Sequence, residues 1–143
     1  MSPLSGPSAF TPTYWPERVA LLQAALKSAS SDIDPVLLEI ALDGAEDVLR
    51  IEVESVDQPL VGWTYNDNEV SDLVAARSAD QALAILRADF PDRAYHPECI
   101  EQVDENCFRN RSWCFEESPD EKLPWSEFII RITVPRHLAG IFF

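Results

Sequence analysis

The chain has 143 residues, with 25 acids against 11 bases and a formal net charge of -14. A surface this negative repels phosphate backbones and anionic lipid, so it disfavours direct nucleic-acid and membrane binding and favours a basic protein partner. Hydrophobic residues at 46% and aromatics at 10% exclude compositional disorder, and the length is that of one ordinary domain.

Residues 1 to 13 carry Pro3, Pro7 and Pro12 among Ser, Thr and Gly, and read as a flexible N-terminal arm. They lack the basic and apolar regions of a secretory signal, and no run approaches a membrane span. With three cysteines, an odd number, the expectation is a cytoplasmic protein with reduced thiols. Residues 14 to 143 are expected to form one globular domain.

Pro16, Glu17 and the spacing of Val19, Leu22 and Leu26 predict a helix over 16–29. Asp34 and Pro35 have the chemistry of a helix start, and Gly44 that of a helix end, so a short second helix is expected between them. In EDVLRIEVESVD (46–57), Leu49, Ile51 and Val53 alternate with Arg50, Glu52 and Glu54. That period of two predicts a strand. Gln58 and Pro59 suit a turn, LVGWTY (60–65) a returning strand of a hairpin, and NDNE the turn after it.

Residues 69–77 read as helical towards their end. Ser78 and Gln81 have capping-box spacing before a helix over 79–89, with Pro91 as its stop. Thereafter RNRSWCFEE (109–117) and WSEFIIRITVPR (125–136) are aromatic and β-branched and predict strands, the second central and ended by Pro135. The order of elements argues an α+β domain: an antiparallel or mixed sheet of about four or five strands, with about three helices packed mainly on one face.

Four glycines, Gly6, Gly44, Gly62 and Gly140, leave no phosphate-binding loop and no dinucleotide fingerprint. His96, Cys99, Cys107 and Cys114 lack the close knuckle spacing of structural zinc, so neither a metal nor another cofactor is expected. No local pattern activates a nucleophile with His96 or His137. The charges, in contrast, are strongly clustered. Between Asp32 and Asp72 there are twelve acids and one base, Arg50.

Like charges on a common face repel, and a cationic partner would offset that cost. The expected function is therefore that of a small acidic inhibitor covering a basic surface of another protein, above all an immunity protein neutralising a bacterial toxin. A DNA-mimic inhibitor of a restriction or CRISPR system is an alternative. So is a small enzyme or ligand-binding domain with a pocket around His96, Cys99, Asp104 and Arg109. The expected partner-binding residues are Asp43, Glu46, Asp47, Glu52, Glu54, Asp57, Asp67 and Glu69, with Trp63 and Tyr65 either as aromatic anchors or packed together in the core.

Overall fold

The computed structural model describes residues 13–28, 34–68, 71–103, 112–113, 120 and 122–140. Helix α1 (Tyr14–Lys27) is followed by α2 (Pro35–Glu54), strands β1 (Val61–Asn66) and β2 (Ser71–Ala76), and helix α3 (Ala79–Asp89). A 3-10 turn at Pro97–Cys99 leads into β3 (Ile100–Gln102), and then come β4 (Ser112–Trp113), β5 (Leu123–Pro124), helix α4 (Trp125–Ile130) and β6 (Arg136–Gly140). The fold is α+β. Four strands form one sheet in the order β3-β1-β2-β6, every pair antiparallel, while β4 and β5 pair separately.

The start signals work as the sequence implies. The Asp34 carboxylate accepts from the Val36 N–H at 2.9 Å with Pro35 in the first turn, and the Ser78 hydroxyl accepts from the Gln81 N–H at 3.2 Å. The expected stop at Gly44 is overturned, and with it the strand over 46–57. Residues 46–54 are the second half of α2, a helix of 20 residues. Leu38, Ala41, Ala45, Val48 and Ile51 are buried at spacings of three and four, a stripe that runs straight through Gly44. The apparent alternation fails on burial, because Ile51 is buried while Val53 is 79% exposed.

Gly44 is inside the helix because α3 crosses there. A Cβ at that position would stand 2.7 Å from the Ala88 nitrogen and 2.8 Å from the Ala84 oxygen, so only a hydrogen permits this approach of the two backbones. Since 46–54 is helical and 55–57 a turn, β1 pairs with β2 instead, from Val61 opposite Ala76 to Asn66 opposite Ser71. Of the expected NDNE turn, Asn68 leaves β1 in the left-handed region at φ 76°, its N–H donating to Asn66 Oδ1 at 3.2 Å, and Glu69 lies outside the described residues.

The helical expectation for 69–77 gives way to strand β2 over Ser71–Ala76, with residues 69 and 70 outside the described set. From Asp72 to Ala76 every residue is buried. Such a strand carries no alternation to read, because both faces of the sheet are covered at this point. Val74 and Ala76 join Tyr65, Trp15, Val48 and the apolar residues of α3 in one core, while Leu73 and Ala75 meet Leu123, Trp125, Phe128 and Ile132 in another. Strand β2, not the 125–136 segment, therefore lies between two layers.

That segment is the second correction. Trp125–Ile130 is a short helix whose Trp125 and Phe128, three apart, are buried against β2, and Pro135 precedes a strand instead of ending one. The aromatic bulk that suggested a strand is there to cap the far face of the sheet. Gly62 accommodates it: the Trp125 indole lies 2.7 Å from where a Cβ of residue 62 would stand. Three helices thus stack on one face, α3 on the sheet, α2 on α3 and α1 on α2, and α4 covers the other. Of the expected strand over 109–117, Ser112–Trp113 is described as β4.

The crossing at Gly44 makes a direct stability prediction. Gly44→Ala gains intrinsic helix propensity, yet it forces α2 away from α3, and the protein should lose about 1–3 kcal/mol in urea unfolding. A stability equal to or above that of the wild type would show that the crossing relaxes without cost.

Candidate functional site

The acidic residues fall into two kinds once α2 is a helix. Glu39, Asp43 and Glu46 are exposed and follow one another at spacings of four and three, so they form a stripe along the solvent face of α2. Arg50 stands next on that face but is occupied, its guanidinium 3.3 Å from Asp47 and 3.2 Å from Glu54. Asp57 is exposed in the turn that follows the helix. Asp43 and Glu46 were expected on the binding surface, and Glu39, which was not, extends them into a continuous open stripe.

Several other expected residues have internal duties. Glu52 is half-buried and accepts from Arg77 Nε at 2.8 Å and from Gln81 Nε2 at 3.0 Å. Gln81 is itself fully buried, donating to the Val48 carbonyl and accepting from the Arg77 N–H. This network ties the end of α2 to the start of α3, so a change at Glu52 reports on folding. Asp47 bridges Arg50 and Arg87, the second at 3.1 Å.

Trp63 and Tyr65 point to the same side of β1 and belong to the core, which removes Tyr65 as an anchor for a partner. Tyr65 is fully buried, and the Trp63 indole donates to the Ala76 carbonyl at 3.1 Å. The Tyr65 hydroxyl donates to Asp67 at 3.1 Å and accepts the His96 N–H at 2.9 Å, so Asp67 too has an internal partner. Glu69 lies outside the described residues.

Of the proposed pocket, His96 is exposed at the N-terminal side of the 3-10 turn and Cys99 packs against the core, while Asp104 and Arg109 lie outside the described residues. Among the described residues, no three His, Cys, Asp or Glu side chains gather as metal ligands. An open groove of about 420 Å³ lies instead beside α4, lined by Leu60, Ile129, Ile130, Ile132, Thr133 and Arg77. Its one charged group, Arg77, is already held by Glu52 and the Gln58 carbonyl.

A second polar constellation sits at the end of α3 and joins residues far apart in the chain. Asp72, 3% exposed, places Oδ1 2.8 Å from His137 Nε2 on the neighbouring strand β6, with Arg93 3.8 Å from Oδ2. The Phe90 ring meets His137 edge-on at 5.1 Å, and the Arg93 guanidinium lies over the Phe90 ring, 4.7 Å from its centre. Asp89 nearby is paired with Arg18 at 3.3 Å. Burial holds its carboxyl above the usual carboxylate range, against the opposing pull of Arg18, His137 and Arg136. An acid inside the apolar run DLVAA was the available sequence signal for Asp72; nothing local announced its partner.

Compared with protein-family models, with curated proteins and with solved structures, the chain matches none.

Two pH effects follow from the buried groups. For Asp89, a folded pKa above the unfolded value means that ionisation opposes folding, so its contribution falls as pH rises through the folded pKa. Asp89→Asn should therefore gain stability relative to wild type between pH 4 and pH 7, read as the difference in thermal midpoints, and a difference that shrinks over that interval would contradict the assignment. Tyr65 and Tyr95 are both pushed up to about 12, chiefly by burial. Stability should then fall above about pH 10, where unfolded tyrosines ionise, and absorbance at 295 nm should show these two phenols ionising only as the fold is lost.

Proposed function

We propose that this protein binds and blocks a basic protein through the solvent face of α2, as an immunity protein does with a toxin. The reading is carried by where α2 keeps its charges. Glu39, Asp43 and Glu46 stand exposed at spacings of four and three along its solvent face, apart from Asp47, Glu52 and Glu54, which are paired with arginines. Like charges three or four apart on a helix cost a few tenths of a kcal/mol per pair.

A cationic partner changes that balance, because the repulsion among Glu39, Asp43 and Glu46 is relieved on contact. Their alignment over two turns supplies a long-range field that steers a basic surface to the helix, and Val36 and Val53, both more than half exposed, provide apolar contact area near its two ends. The half-buried acids Asp47 and Glu52 belong to the scaffold and fix the helix on α3.

The test pairs binding with stability. Capture from the native host at low salt should recover one basic protein in stoichiometric amount, with an affinity that falls steeply as salt rises. Replacing Glu39, Asp43 and Glu46 by Lys should weaken that complex at least tenfold while leaving the thermal midpoint unchanged or higher. Recovery of no stoichiometric partner, or a triple variant that binds as well as the wild type, would rule the reading out.

A further inference from the structure

We infer that His137, oriented by Asp72, is a proton acceptor that serves a small, weakly acidic molecule. The inference is independent of the α2 surface. It begins with cost: a carboxylate that is 3% exposed loses most of its hydration, and an apolar pair bridging β2 and β6 would hold these strands with less penalty. Asp72 Oδ1 takes the His137 Nε2 contact at 2.8 Å, while Oδ2 is buried without a hydrogen bond among the described residues, the Arg93 guanidinium standing off at 3.8 Å.

The chemistry follows from which nitrogen is engaged. A carboxylate at Nε2 selects the tautomer protonated there, which leaves the lone pair on Nδ1. The ring is held edge-on by Phe90 and keeps 21% of its side-chain surface accessible on the outermost strand of the sheet. When Nδ1 takes a proton, the imidazolium faces Asp72 directly, with the Asp89 carboxylate also within electrostatic range. Arg93, stacked on Phe90 and 3.8 Å from Asp72 Oδ2, stands on the carboxylate side of the pair. Base and orienting carboxylate are thus joined in one pair.

A probe that needs only a base tests this. In 5-nitrobenzisoxazole, removal of the C3 proton to Nδ1 turns the C–H electron pair into the third bond of a nitrile, the N–O bond breaks, and its electrons leave on the phenolate oxygen; no co-reactant is required. The wild-type chain should open this ring at least tenfold faster than His137→Gln. Gln retains a donor for Asp72, so equal circular dichroism and thermal midpoint would separate the loss of the base from loss of the fold. Asp72→Asn should lower the rate, whereas His96→Gln should leave it unchanged. On the wild-type protein, nitrogen NMR of the neutral imidazole should find the proton on Nε2. A wild-type rate no greater than that of His137→Gln, or a neutral ring protonated on Nδ1, would overturn the inference.

Discussion

The backbone contact between α2 and α3 at Gly44 governs the rest of the molecule. With a hydrogen where every other residue has a carbon, α2 comes so close to α3 that a Cβ at residue 44 would stand 2.7 to 2.8 Å from the backbone of Ala88 and Ala84. That proximity lets one small-residue helix, α3, lie between α2 and the sheet with Ala82, Ala84, Ile85 and Leu86 fully buried. It also sets which face of α2 is left to solvent. Once Ala41, Ala45 and Val48 are turned inward, Glu39, Asp43 and Glu46 have no other direction to take. The acidic stripe is thus as much a product of the helix crossing as of the residues that form it.

The same layering separates the charges by role. Acids that reach the α2–α3 seam are neutralised there by Arg77 and Arg87, and those on the outer face have no base among them until Arg50. Net charge alone would treat these as one population. The structure divides them into a set that holds the helices in register and a set directed outwards, and only the second is free to act on another molecule.

How much of this was readable depended on whether the signal was local. Asp34 with Pro35 and Ser78 with Gln81 marked helix starts correctly, because a cap is a contact between residues two or three apart. Gly44 misled because its chemistry suits both a helix end and a helix crossing, and the choice is made by α3, forty residues on. Six residues of alternation in LRIEVE then fitted a strand, while the longer stripe from Leu38 to Ile51 fitted a helix, and burial favours the longer pattern. Strand β2 and helix α4 were misread for one common reason. Covering both faces of β2 erases its alternation, and the residues that do the covering, Trp125 and Phe128, look by composition like a strand themselves. Of the two constellations, the carboxylate stripe was visible as charge in the sequence, but the 65 residues separating Asp72 from His137 hid the other.

The hydrogen bond from the Trp15 indole to the Pro135 carbonyl spans 120 positions, at 2.7 Å, and both groups are buried. Its consequence is temporal. During synthesis α1 emerges first, but its largest side chain has no acceptor until almost the whole described chain has followed, and β2 has no second neighbour until β6 is made. Closure of the sheet around β2 waits for β6, the last described strand. In order of synthesis the acidic helix therefore precedes His137, the second member of the pair with Asp72.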